Sequence, residues 1–279
     1  MLSHLTTSVR GAGSRWLSGC RQLSQLVNVE RMENGDGRIA TVKMNRGPVN
    51  SLNSELITEL TYTIKELERE EVRGVILASD AKVFSAGLDL NELNGVSERH
   101  FRKFWDDFET LFSTLYLTPI ATVACIESHA PAGGSVLALS CDYRVMAKND
   151  KLKMGLNETQ LGMVPPRWLQ AMCAQTVGAR NSELLLQQGL MMSPSQALGY
   201  GFIDETVDPS EVAERSRQVL DTLTKLPPRA RALTKLQQRE HITKLTGPDS
   251  ATELYECLIS SECKETVSAL LASLGSKKK

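Results

Sequence analysis

Apolar and polar positions along this chain change period several times, and each change marks an element. VNVERM and RIATVKM flank the turn-rich stretch Glu33-Asn34-Gly35-Asp36-Gly37, a pattern that predicts a β-hairpin. Leu56, Ile57, Leu60, Ile64 and Leu67 then recur at helical spacing, predicting a helix over 53–70. The apolar runs Gly74 to Ala78, Ile120 to Ile126 and Tyr143 to Ala147 read as buried strands. Between them lie an amphipathic helix over 100–117 and a helix of small and apolar residues over 132–140.

Strand and helix therefore alternate at βαβ spacing, which predicts parallel strands joined by right-handed crossovers. Beyond Glu158 helical patterns take over: 168–177, 179–188, 193–198 and 209–226. Pro227-Pro228 interrupts the chain, and two further helices are expected, over 230–244 and 251–274. The expectation is an α/β core followed by an all-helical C-terminal portion. Three segments result: 1–28, a core over 29–208, and a helical portion over 209–279.

Composition changes the picture only at the N-terminus. The chain has 279 residues, 41% hydrophobic and 23% charged, with a net charge of −1, so no global basic field favours nucleic acid or an anionic membrane. No apolar run reaches the ~18 residues a membrane span needs. The first 29 residues contain Arg10, Arg15 and Arg21, several Ser and Thr, and no acid. Their apolar residues are scattered rather than gathered into one block, so the pattern is that of a mitochondrial transit peptide, not a secretory signal. Cys20, Cys125, Cys141, Cys173, Cys257 and Cys263 form no C-x-x-C pair and the four histidines are far apart, so no metal-ligand spacing exists. Reduced thiols fit a matrix compartment.

Candidate chemistry sits in three stretches. Phe84-Ser85-Ala86-Gly87-Leu88-Asp89-Leu90 and Ala130-Pro131-Ala132-Gly133-Gly134-Ser135 each follow the C-terminal end of a predicted parallel strand, the edge at which open α/β sheets bind ligands. Gly133-Gly134 stands at a helix start, where backbone N–H groups lack intrahelical partners. With the Leu88 N–H, the Gly133 N–H makes a candidate oxyanion hole, although helix capping explains either loop taken singly. The third stretch, GLNETQLG, places Glu158 alone among uncharged neighbours, as a cap, a solvated turn or a base in an apolar pocket. Gly133 to Leu137 lacks the closing glycine of G-x-S-x-G, so Ser135 is not marked as a nucleophile. Asp89 and Asp142 read as structural acids, capping or pairing with a neighbour such as Arg144. The basic stretch over 228–239 reads as a solvated helix face.

Taken together, NRGPVNSLN, GVILASDAKVFSAGLDLNEL, APAGGSVLALSCDYRVMA and GLNETQLGMVPPRWL resemble the crotonase (enoyl-CoA hydratase/isomerase) superfamily, in order and spacing over 29–208. The resemblance implies a spiral of ββα units, a homotrimer and an acyl-CoA thioester substrate, with no metal or organic cofactor. It implies that the Leu88 and Gly133 N–H groups hold the thioester oxygen. Ala86, Gly87, Leu88, Asp89 and Leu90 would line the CoA and acyl path, Asn157 would lie beside the substrate, and Glu158 would be the catalytic carboxylate.

One departure separates reactions within the superfamily. The hydratases carry a second glutamate in the helix after the glycine loop, and here that position is Val136. The glycine-rich segment that follows the catalytic glutamate in hydratases is replaced by Val164-Pro165-Pro166-Arg167-Trp168. Both departures imply an isomerase that moves the double bond of a 3-enoyl-CoA to the trans-2 position within β-oxidation. A hydratase or other acyl-CoA enzyme of the same fold, and a non-catalytic binding protein of that fold, are the alternatives. The absence of a dense Lys/Arg patch counts against nucleic acid.

Overall fold

A computed structural model of the chain describes residues 26–31 and 38–276. The expected leader over 1–28 lies almost wholly outside the described residues, as do the hairpin turn and Cys20; Val27 and Asn28 already pair in the first strand.

Strands β1 (Val27–Arg31) and β2 (Ile39–Met44) pair antiparallel, with Val29 opposite Val42. Three strands then add in parallel: β3 (Gly74–Ser79), β4 (Ala121–Ile126) and β6 (Tyr143–Ala147). A short strand, β8 (Glu205–Val207), closes the order β1-β2-β3-β4-β6-β8. Every residue of β4 is buried, as a parallel strand covered on both faces requires. Two two-residue strands, β5 (Ala130–Pro131) and β7 (Met154–Gly155), pair in parallel in a second sheet. So β4 is followed by β5 and the helix α3 (Gly133–Ser140), and β6 by β7 and the helix α4 (Arg167–Val177): two ββα units, each giving one strand to either sheet.

The helices α1 (Ser54–Arg69) and α2 (Glu98–Leu117) pack on each other, and α1 also packs on β1. Each has the N-cap its sequence offers: Asn53 accepts from Leu56 N–H and Ser97 from His100 N–H. The apolar face of α2 carries Phe101, Phe104, Trp105, Phe108 and Phe112 into the core. After α4 come α5 (Ala179–Gln188), α6 (Pro194–Tyr200), α7 (Val212–Thr224) and α8 (Pro228–Thr243). The expected helix over 251–274 is instead two, α9 (Pro248–Ile259) and α10 (Ser261–Ser276). Ser260 between them is extended, and its Oγ accepts the Cys263 N–H, so an N-cap serine breaks a pattern that periodicity alone runs through. The three short strands β5, β7 and β8 are too brief for hydrophobic periodicity to reveal.

Two expectations about charge are corrected. Asp142 does not pair with Arg144, which is engaged by Asp204 at 2.6 Å. Asp142 instead receives Arg231, Lys235 and Arg239 at 3.0, 2.8 and 3.2 Å. Those cations repeat every four residues on one face of α8, and that face turns inward rather than to water. There Arg239 also donates to carbonyls at the C-terminal ends of α2 and α3, those of Tyr116 and Ser140, and Lys235 to that of Ile120, just before β4. Burial pushes the Asp142 carboxyl upward, but Lys235 and Arg239 outweigh it and hold it below the usual carboxylate range. Burial pushes the Lys235 ammonium down to about 8.

Candidate active site

The two glycine loops converge. The loop after β3 is drawn against the segment after β2 by Leu52 N–H donating to Gly87 O at 2.8 Å and Asp89 N–H to Leu52 O at 3.0 Å. Leu88 lies between these bonds, and its own N–H has no acceptor among the described residues; neither has that of Gly133, the first residue of α3. The two groups are neighbours: a Cβ on Gly133 would stand 3.3 Å from Leu88 N, and a Cβ on Gly87 would stand 3.0 Å from Gly133 N. Glycine at both positions is what lets the two loops approach this closely. Ala132, just before Gly133, is held at φ 47, ψ −120, a conformation costing an L-residue on the order of 1–3 kcal/mol. The strain is held by the Ala132 N–H bond to Gly155 O at 2.8 Å.

Ser135 ties this loop to the third stretch. Its buried Oγ donates to Ala130 O at 2.5 Å and accepts from Gly155 N–H at 2.8 Å. It is thus engaged as a brace, in keeping with the missing nucleophile motif. Gly155, at φ 148, passes so close to its neighbour that a Cβ would meet Leu190 O at 2.2 Å. Ser135→Ala strands the buried Gly155 N–H and is expected to lower stability by about 1–3 kcal/mol. A urea titration with unchanged m-value checks this, and a midpoint equal to wild type would contradict it.

Glu158 opens a 3-10 turn, Glu158–Leu161, three residues beyond the end of β7. The turn is fastened to α5 by Thr159 Oγ1 donating to Leu186 O at 2.6 Å and Gln160 Nε2 to Gln188 O at 3.1 Å. As a residue Glu158 is only partly covered, but its Oε2 is buried and has no hydrogen-bond partner, and the same holds for Asn157 Oδ1. Two orphaned acceptors side by side are costly in a folded protein and call for a donor from elsewhere. Burial pushes the Glu158 carboxyl up to about 7, opposed only by its own backbone N–H.

Glu158, Asn157, Gly133, Leu88 and Ala86 share a cavity of about 700 Å³, with Asp89 and Leu90 at its wall. Gly87 is absent from the lining; it packs behind, against Ala132. Asp89 is largely structural, pairing with Arg46 at 2.9 Å and accepting from Asn91 N–H at 3.1 Å. Val136 lines the same cavity, 1% exposed. Trp105 and Phe108 of α2, Trp168 of α4, Leu254 of α9 and Leu270 and Leu271 of α10 complete the apolar wall. Trp168 falls within the last motif and α2 follows the second one closely, whereas Leu254, Leu270 and Leu271 lie far beyond the motifs, where periodicity alone does not place them. Among the described residues no cluster of His, Cys, Asp and Glu is placed to hold a metal, and no helix is long and apolar enough to cross a membrane.

A mixed sheet built of ββα units, two strand-end loops presenting free N–H groups, and a buried carboxylate in one apolar cavity define a class. The chain belongs to the enoyl-CoA hydratase/isomerase family, whose profile matches residues 34–269. Among its relatives, the mitochondrial enoyl-CoA delta isomerase 1 of Mus musculus is 41% identical over 74% of this chain and 72% of its own length. A short-chain-enoyl-CoA hydratase of Clostridium acetobutylicum is 30% identical over 72% of this chain and 77% of its own. In structure, the human mitochondrial delta3-delta2-enoyl-CoA isomerase superposes with a TM-score of 0.86 at 34% identity, covering 91% of this chain and all of the other. The resemblance read from the four motifs is therefore borne out, and so is the α/β class.

Proposed function

We infer that this chain is an enoyl-CoA delta isomerase that converts a 3-enoyl-CoA, cis or trans, to the trans-2-enoyl-CoA used in β-oxidation. The observation that carries the reading is the single carboxylate. Glu158 Oε2 is buried without a hydrogen-bond partner, while the cavity position where a hydratase would place its second glutamate is Val136. The isomerase relatives, at higher identity than the hydratase, support the same choice.

Glu158 takes a proton from C2 of the substrate. The electron pair left behind spreads through the adjacent double bond and into the thioester carbonyl. Negative charge then gathers on the thioester oxygen, where the Leu88 and Gly133 N–H groups donate to it. Two preorganised donors of this kind contribute about 3–4 kcal/mol each. Glu158 then returns the proton at C4, so the double bond ends between C2 and C3. Asn157 lies beside the substrate, and Ala86 to Leu90 border the CoA and acyl path. A carboxyl titrating near 7 is a stronger base than an ordinary glutamate yet is largely ionised in a slightly alkaline compartment. No metal or organic cofactor enters the reaction. The acid-free, arginine-bearing first 29 residues and the mitochondrial designation of the mouse relative support a mitochondrial location, which we assign to the matrix. The core spans 29–208 and the helical portion 209–279, and the chain works as a homotrimer.

The test is to incubate the full chain with trans-3-hexenoyl-CoA and follow the conjugated 2-enoyl thioester by ultraviolet absorbance, with trans-2-hexenoyl-CoA in parallel. Gain in the first with no loss in the second is expected. Rapid loss in the second would mean that water is activated without a second glutamate. The pH profile follows from Glu158. The base acts ionised, so kcat/KM should rise tenfold per unit below pH about 7 and level off above it. A flat profile between pH 5.5 and 8 would mean that the base titrates below that range, against the upward push that burial gives Glu158.

A further inference from the structure

A second buried carboxylate takes no part in this chemistry. Glu109 lies on the inward face of α2, 4% exposed. Its Oε1 accepts two indole N–H groups, from Trp105 at 3.0 Å and from Trp168 at 2.8 Å. Its Oε2 accepts the Gly247 N–H at 2.7 Å, at the turn between α8 and α9. The Trp105 indole also reaches Ser250 Oγ of α9 at 3.1 Å. Every one of these partners is neutral. Burial pushes the Glu109 carboxyl up, and the bonds from Ser250, Gly247, Trp168 and Trp105 only partly oppose it.

Placing a carboxylate among neutral partners in a core is costly, and an apolar side chain would pack there without that cost. What the carboxylate adds is direction. The Trp105, Trp168 and Phe108 rings touch one another, with centroids 5.5 to 6.3 Å apart, and all three line the cavity that holds Glu158. An indole ring held only by packing can swing about its side-chain bonds; one whose N–H is bound to a fixed oxygen cannot. Glu109 fixes two such rings to one atom and, through Gly247, fixes the start of α9, which brings Leu254 to the same wall. Three elements distant in sequence thus meet at one carboxylate directly behind the cavity.

We propose that Glu109 is a specificity-determining positioning residue: by pinning the Trp105 and Trp168 indoles and the turn into α9, it sets the depth of the acyl chamber and so the acyl-chain length the enzyme prefers. The proposal rests on the reading of this cavity as the acyl-CoA site.

Glu109→Leu keeps the volume and removes both acceptor oxygens. Glu109→Gln keeps one acceptor but turns a donor toward the Gly247 N–H. Each is assayed as the full chain on trans-3-hexenoyl-, octenoyl-, decenoyl- and dodecenoyl-CoA. In Glu109→Leu the ratio of kcat/KM for dodecenoyl over hexenoyl substrate should rise about tenfold, through KM rather than kcat, the scale on which hydrophobic pockets discriminate chain length. Glu109→Gln should shift it the same way by about threefold. A purely structural role lowers all four substrates alike, so an unchanged ratio in a variant with wild-type circular dichroism overturns the proposal. Should Glu109→Leu not fold, Glu109→Gln decides alone. A second readout is independent of turnover. The chain has three tryptophans, so in a Trp16→Phe background the emission reports Trp105 and Trp168 alone. Titrating hexanoyl-CoA and dodecanoyl-CoA against that emission gives the chain-length ratio by binding. Wild-type binding without isomerisation of any 3-enoyl-CoA would sink the isomerase reading while leaving this one to be judged on the binding ratio. No binding of either thioester would sink both.

Discussion

Glu158→Gln is expected to bind acyl-CoA thioesters as wild type does and to turn over trans-3-hexenoyl-CoA at least about 10²-fold more slowly, the lower end of what a positioned acid–base group contributes. The amide keeps the shape of the side chain and loses the ability to accept a proton. The same substitution should raise stability. A carboxyl whose folded pKa stands near 7, above its ordinary 4.5, favours folding only while it is protonated in both states. That contribution is present below about pH 4.5 and is lost as pH rises through 7, so the ionised form weighs against the fold at pH 8. Glu158→Gln should therefore gain roughly 1–3 kcal/mol at pH 8 and little at pH 5. Urea midpoints at the two pH values, beside the absorbance assay, check both halves. A variant with near-full turnover ends the assignment of Glu158 as base. A variant equally stable to wild type at pH 8 would mean the carboxylate is better solvated than its burial indicates.

Asp142→Ala is expected to be the most destabilising single change outside the cavity. It leaves Arg231, Arg239 and the deeply buried Lys235 facing one another without a carboxylate. Removing one partner from a buried ion cluster costs about 3–5 kcal/mol, because the remaining charges stay buried and uncompensated. In a protein of this size that lowers Tm by roughly 6–20 °C. The sign with pH follows from Asp142 itself. Its folded pKa is held below the ordinary value, so its contribution is present above the ordinary carboxyl pKa and is lost as pH falls through the depressed one. Wild-type stability should fall on acidification below the ordinary carboxyl range, and the Asp142→Ala difference should shrink there. A loss under about 1 kcal/mol at neutral pH would show that the helix-end carbonyls alone satisfy the three cations.

These two acids mark how far the sequence can be read. Glu158 is legible as a candidate, because GLNETQLG keeps its register with the two glycine loops and the register carries a meaning that the residue alone does not. Asp142 is structural, as its sequence suggests, but its partners are the α8 cations rather than Arg144, and those cations read from sequence as a solvated face. Nothing local tells the two situations apart: cations four residues apart form one helix face whether that face meets water or a carboxylate some ninety residues earlier. Glu109 left a trace that could have been followed. It lies four residues after Trp105, on the aromatic face of α2, and an acid on a buried face needs a partner. Its Trp105 partner lies one turn earlier on α2, but the others come from α4 and the α8–α9 turn, and no periodicity points to those.

Local chemistry is thus what the sequence by itself determined here. Apolar periodicity set the long strands and helices, and four motifs in order named the family and a candidate carboxylate. Tertiary structure decided everything that depends on distance through space. It brought the Leu88 and Gly133 N–H groups side by side, joined Ser135 to Gly155 and assembled the cavity wall from α2, α4, α9 and α10. The physical reason is that periodicity and capping act within a few residues, whereas burial, ion pairing and cavity shape are set by groups whose separation along the chain carries no information about their separation in the fold.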